Sequence, residues 1–207
     1  MYTLIAIIIG YLFGCVHGSQ IVGNYKKINI KENGMKNAGA TNATMLLGFK
    51  YGLLVAFVDI MKAIISLLLI SYLLDTFNVL FDAQVIILFI NALFVIIGHN
   101  FPLTMNFKGG KGTASLFGIL LFFNWTFAVM GLFILIIFAV VTNYFVTGTL
   151  MVYVSFVMYT AHTFGQTPAL IATLFVALFF IKHRENFKRI LNKEEVKVSS
   201  LLRREAS

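Results

Sequence analysis

Seven apolar stretches, separated by short polar segments, run along the chain. They cover about residues 1–22, 51–74, 85–98, 113–123, 125–141, 148–161 and 169–181. The runs are continuous and do not alternate, which predicts helices and not the strands of a membrane barrel. Several are shorter than the ~20 residues that a helix needs to cross ~30 Å of hydrocarbon. These must recruit flanking loop residues, or let polar loops dip to membrane depth, where the protein itself has to satisfy the backbone. Short spans beside glycine-rich loops are therefore a first pointer to a site.

Composition turns this pattern into a fold class. Of 207 residues, 59% are hydrophobic and only 12% charged, and the mean hydropathy is +0.90. A soluble domain is nearer half apolar and a quarter charged; this chain could not cover its surface in water, but lipid can serve as its outer solvent. The expectation is an all-α integral membrane protein of about seven transmembrane helices. Residues 1–193 form a single polytopic membrane domain and residues 194–207 a short basic cytoplasmic tail. The first stretch lacks a basic leader and a clear cleavage site, so it reads as a retained span. The single cysteine, Cys15, excludes a disulfide framework and a cysteine zinc site. No HExxH, no His-x4-Asp and no Ser-His-Asp set is legible, and no metal or cofactor motif is present.

The formal charge of +8 would fit a nucleic-acid partner, but its placement points elsewhere. With seven spans, every loop lysine and arginine falls on one side, including Lys26, Lys36, Lys108, Lys111, Arg184, Arg189 and Arg203. The opposite loops carry Asp75, Asp82 and Asn124 and no cation, and Lys62 alone lies inside a span. Positive residues mark the cytoplasmic side, so the N-terminus is expected outside and the C-terminus inside. The charge belongs to topology and anionic lipid, and no nucleic acid is called for.

Three polar segments share that side, where they can converge: residues 31–42 (KENGMKNAGATN), 98–115 (GHNFPLTMNFKGGKGTAS) and 182–195 (KHRENFKRILNKEE). In the second, Lys108, Gly109, Gly110, Lys111 and Gly112 suit a phosphate cradle, because glycines let backbone N–H groups point together and the lysines add charge. A helix follows at once, so its positive dipole end faces the loop. The spacing is not that of a Walker loop, since Met105 stands where the first glycine belongs. In the first segment, Asn37 and Asn42 either bind substrate or cap the loop before the next helix. In the third, His183, Asn186 and Arg189 recur every three residues and form a spiralling stripe. A proton carrier, an amide and a guanidinium together suit an anionic substrate, or the face binds anionic lipid. Asp59 and Lys62 are a buried ion pair or a support for the phosphate loop. His17 and His162 read as interfacial polar residues.

At these three segments the chain resembles the PlsY family of bacterial membrane acyltransferases. The family's Gly-His-x-Phe-Pro and Phe-Lys-Gly-Gly-Lys-Gly match residues 98–102 and 107–112. Its His-Arg-x-Asn-hydrophobic-Lys-Arg matches residues 183–189, its Asp-x-x-Lys matches Asp59 and Lys62, and its first motif matches Gly34, Asn37 and residues 39–42. The first motif's serine, following glycine and closing arginine are here Met35, Lys36 and Met45, and an Arg-Tyr-Val-Ser-type segment is residues 143–146. Lys36, Thr147 and Thr149 are the nearest groups that could take over those roles.

The resemblance implies acyl transfer from acyl phosphate to glycerol 3-phosphate, giving lysophosphatidic acid for phospholipid synthesis, in the bacterial cell membrane and with no cofactor. It makes His183 and Asn186 catalytic. It makes Asn37, Asn42, His99, Lys108, Gly109, Gly110, Lys111, Gly112 and Arg189 the substrate and phosphate contacts, with membrane lipid as the third partner. Two other readings use the same anion site. One is a catalytically weakened or inactive relative that binds a phosphate-bearing lipid or ester. The other is a small anion channel or transporter, which would need a polar lining through the outer half, where this chain offers almost none.

Overall fold

The computed structural model describes residues 1–200, and those residues form nine α-helices, with the two long connections at 27–39 and 101–112. The expected tail is thus described only as far as Ser200, and residues 201–207, with Arg203 and Arg204, lie outside the described residues. In chain order the helices are α1 (Tyr2–Cys15), α2 (Gly18–Lys26), α3 (Ala40–Leu47), α4 (Phe49–Thr76), α5 (Phe81–Asn100), α6 (Thr113–Phe123), α7 (Trp125–Thr142), α8 (Phe145–Phe164) and α9 (Gln166–Leu191). Six stretches are long and apolar enough to cross a membrane: Tyr2–Lys26, Phe49–Thr76, Phe81–Met105, Trp125–Thr142, Phe145–Phe164 and Gln166–Leu191. The shorter apolar helix Thr113–Phe123 is additional. Nearly all run past the apolar stretches that predicted them, because a helix must keep its backbone hydrogen-bonded until it has left the hydrocarbon.

Two compact units divide the chain, Met1–Phe123 and a second beginning at Asn124. In the first unit α1 lies along α5 at backbone distance. A side chain at Gly14 would strike the Cα of Gly98 at 2.8 Å, and one at Gly10 would strike the Asn91 carbonyl at 2.5 Å. Small residues allow this approach, and van der Waals packing, not the hydrophobic effect, holds such a contact in lipid. Asn91 adds a polar tie: its Nδ2 donates to Ala6 O (2.9 Å) and its Oδ1 accepts from Ser66 Oγ (3.0 Å). Phe57, Leu68 and Leu69 on α4 remain exposed, as expected of a surface whose solvent is acyl chain.

The second unit is an antiparallel series of α7, α8 and α9. Asn124 caps α7 by accepting from the Phe127 N–H at 2.9 Å, a standard first-turn satisfaction. Gly148 of α8 packs directly on the Leu135 carbonyl of α7. Beyond α9, Lys193 adopts a left-handed φ of 60°. The Glu194 and Glu195 N–H groups return to Arg189 O at 2.7 and 3.2 Å. This turn sends the chain back along the helix it has just left.

The first span departs from expectation. It is not one continuous helix: α1 ends at Cys15, Val16 is extended, and α2 starts again at Gly18. The break frees carbonyls at the end of α1 and N–H groups at the start of α2, inside a stretch long enough to span the membrane.

Candidate functional site

Asp59 and Lys62 of α4 resolve that break. Lys62 Nζ donates to Gly14 O at 3.0 Å and to Val16 O at 2.5 Å. Asp59 Oδ1 accepts from the Gly18 N–H at 3.3 Å. One cation thus caps the end of α1 and one anion caps the start of α2, while Nζ and Oδ1 pair at 3.0 Å. Both side chains are buried, where an ion pair repays its desolvation only if its remaining hydrogen-bonding capacity is used; here backbone uses it.

Lys62 also donates to His99 Nδ1 at 2.8 Å. His99, near the end of α5, is 3% exposed and lies beneath the glycine loop. The Gly110 N–H donates to His99 O (3.1 Å) and the Gly109 N–H to Asn100 O (3.2 Å). A Cβ at Gly110 would overlap the His99 imidazole, so glycine is required there by close approach. Asn106 and Phe107 have left-handed φ values of 51° and 58°, and Gly112 has 86°. These three turns lay the loop flat on His99 and then launch α6. Lys108 is exposed and Lys111 partly exposed, whereas Gly110 and Gly112 are buried. The Gly109 and Gly110 N–H groups are thus spent inward. The amides at the start of α6, Thr113 to Ser115, precede the first intrahelical bond, which Leu116 N makes to Gly112 O at 2.8 Å.

His17 is not the interfacial residue its sequence context suggests. It is 1% exposed, and its ring stacks on that of His99 at 4.7 Å.

The segment before α3 is organised by Asn42, which is fully buried. Its Oδ1 accepts from the Met35 N–H at 2.8 Å. Its Nδ2 faces Ile30 O, Asn33 O and Asn37 O at 2.6, 2.9 and 2.9 Å. Asn42 therefore spends its side chain holding the loop, while Asn37 stays partly exposed beside it. Lys36 is exposed with φ 51°, and Met45 is exposed on α3. A polar cavity of about 650 Å³ opens alongside, lined by Ser19, Asn24, Lys27 and Lys31 among others. Lys31 Nζ reaches across to Met105 O at 3.0 Å.

In the second unit the α9 stripe is brought together by a residue that the sequence did not single out. Glu195 Oε1 accepts from Asn186 Nδ2 at 2.6 Å, and Oε2 accepts from Arg189 Nε at 2.6 Å. The reversed turn after α9 aims this carboxylate back at the stripe; an acidic residue just after a basic helix carries no such signal in sequence. His183 is buried, donates Nδ1–H to Phe179 O at 3.0 Å and stacks on the Phe179 ring at 4.0 Å. A donating Nδ1 leaves Nε2 as the accepting nitrogen. Thr149 and Thr147 turn their hydroxyls onto backbone, Phe145 O at 3.1 Å and Tyr144 O at 2.7 Å. Asn143 clasps the returning chain: its carbonyl accepts from Val198 N at 3.0 Å and its Oδ1 from Ser199 N at 2.9 Å.

The family model described as glycerol-3-phosphate acyltransferase matches residues 4–193. The chain belongs to the glycerol-3-phosphate acyltransferase family. Among its relatives, glycerol-3-phosphate acyltransferase 1 of Oceanobacillus iheyensis is 50% identical over the whole of both chains. Glycerol-3-phosphate acyltransferase of Bacillus subtilis is 32% identical, over 97% of this chain and all of the relative. Two crystal structures of PlsY, an integral membrane glycerol 3-phosphate acyltransferase, share the fold at 26% identity. The glycerol 3-phosphate form superposes with a TM-score of 0.84 over 97% of this chain and 98% of that one. The lysophosphatidic acid form gives 0.82 over 95% of each. Membership of the glycerol-3-phosphate acyltransferase family makes the chain an integral membrane acyltransferase of phospholipid synthesis, as its motifs led one to expect.

Proposed function

We propose that this protein moves an acyl chain from acyl phosphate to glycerol 3-phosphate in the bacterial cell membrane, giving lysophosphatidic acid. The observation that carries this reading is the full-length likeness, TM-score 0.84, to the glycerol 3-phosphate form of a solved PlsY. The test is direct: detergent-purified protein with acyl phosphate and glycerol 3-phosphate should yield lysophosphatidic acid, and no product above a protein-free control would sink the reading.

The chemistry asks little of the protein. Acyl phosphate is a mixed anhydride with a good leaving group, so alignment and charge stabilisation supply most of the catalysis. The glycerol oxygen forms its ester bond to the carbonyl carbon as the carbon–oxygen bond to phosphate breaks. The hydroxyl proton ends on the departing phosphate. In this reading Lys108, Lys111, the Gly112 amide and the first-turn amides of α6 hold a substrate phosphate. Gly109 and Gly110 supply the shape of the loop, and His99 its floor. His183 accepts from or polarises a substrate group through Nε2, Asn186 orients it, and Arg189 holds negative charge. Asn37 faces substrate, and Asn42 keeps its loop in place.

Counting Thr113–Phe123, the chain makes seven passes, with its N-terminus outside and its C-terminus in the cytoplasm. The one-sided distribution of loop cations supports this arrangement. A second reading, a weakened relative that binds a phosphate-bearing ester, rests on Met35 and Met45, whose thioethers cannot donate to phosphate.

A further inference from the structure

His17 takes no part in the reaction described above, yet it sits where the glycine loop meets the broken first span. Its ring nitrogens face two carbonyls, Cys15 O at 3.1 Å from Nδ1 and His99 O at 3.0 Å from Nε2. A neutral ring donates to only one of them, and donation from Nε2 to His99 O ties the imidazole to the end of α5. His99 O is also the acceptor for the Gly110 N–H, so the same oxygen joins His17 to the loop. A Cβ built on Gly109 would lie 3.0 Å from His17 Nε2, which puts the ring directly behind the loop. Lys62 grips His99 from its other side, through Nδ1. The stack of His17 on His99, with an interplanar angle of 17°, completes a rigid floor.

We propose that His17 is a positioning residue: its imidazole, donating from Nε2 to His99 O and stacked on the His99 ring, sets the height at which Gly109 and Gly110 lie and so aims Lys111 and the start of α6 at the substrate phosphate. This rests on the reading of the glycine loop as a phosphate site. His17 touches no substrate in this role. It acts through His99 O, so its loss should loosen phosphate binding and spare the chemical step.

The test compares His17→Phe, His17→Gln and Lys111→Ala in detergent-purified protein, with KM for glycerol 3-phosphate and for acyl phosphate measured separately. His17→Phe keeps a ring on His99 and removes both nitrogens. It should raise the KM that Lys111→Ala raises by up to about ten-fold, the scale of one neutral hydrogen bond, with kcat little changed. His17→Gln, which can still donate to a carbonyl, should restore most of that loss. If Lys111→Ala raises a KM and His17→Phe raises neither, the proposal falls and the phosphate site stands. If Lys111→Ala raises neither KM, the phosphate reading falls and this proposal with it. A fall in kcat alone for His17→Phe also overturns it. Should His17→Phe fail to yield folded protein, His17→Leu, which also lacks both nitrogens, carries the same test, and an unchanged KM in that variant rejects the idea.

Discussion

Glu195 and Arg189 are paired at 2.6 Å between Oε2 and Nε, and that pair draws the chain beyond α9 back onto its own motif. The Glu195 side chain is largely buried while that of Arg189 is more than one-third exposed, so Arg189 is anchored through its Nε. The other carboxylate oxygen holds Asn186. Glu195→Gln places a neutral amide against Arg189. Losing one charge-assisted bond of this kind costs about 1.5–3 kcal/mol, so kcat/KM should fall by roughly 10- to 150-fold. A steady-state assay showing full activity would demote Glu195 to a helix-end contact.

Lys111→Ala should weaken the phosphate-bearing substrate over a similar range, since one charge-assisted bond of about 1.5–3 kcal/mol is removed. Its KM should rise roughly 10- to 150-fold. Unchanged kinetics in folded protein would reduce the loop to a turn among lipid headgroups.

The Asp59–Lys62 pair should prove structural before it proves catalytic. Removing one partner leaves a buried charge unpaired, which costs about 3–5 kcal/mol, and uncaps one end of the broken span. Asp59→Ala and Lys62→Ala should each lower the melting temperature of the detergent-solubilised protein sharply. The double variant should lose less than the sum of the two. Additive losses would mean that the pair is not coupled.

Met35 and Met45 test whether this chain works at full rate. Met35 enters the Asn42 network only through its backbone N–H, and Met45 is exposed on α3, so both side chains can be exchanged without dismantling the loop. Met35→Ser with Met45→Arg should raise kcat/KM by roughly 10- to 1000-fold, the span available from paired guanidinium bonds to phosphate. No change would show that Lys36 or another group already fills those roles.

Topology can be checked by labelling. With the buried Cys15 replaced by alanine, single cysteines near Asn78 and near Asn192 should react with an impermeant reagent from opposite sides of the membrane. Labelling from the same side would overturn the seven-pass arrangement.

The sequence by itself determined the helices and the chemistry on offer. Continuous apolar runs in lipid have no low-energy alternative to helix, so α4 to α9 appear where hydropathy put them, most of them lengthened at their ends by backbone satisfaction. The residue types at 98–112 and 183–189 likewise announced an anion site and a family. Tertiary structure alone decided which groups face a ligand and which face the protein. Hydropathy does not register a break at Val16–His17, because the partners that make it tolerable, Asp59 and Lys62, lie more than 40 residues away. It cannot tell that Gly109 and Gly110 turn their N–H groups inward to carbonyls of α5, or that Asn42 exhausts its amide on its own loop. Nor could it find Glu195, whose role depends on a left-handed turn at Lys193, or His17, whose partner His99 is brought beside it only by the close crossing of Gly14 and Gly98. Each is a polar contact between distant segments, and local pattern carries no information about which distant atoms will satisfy a buried donor.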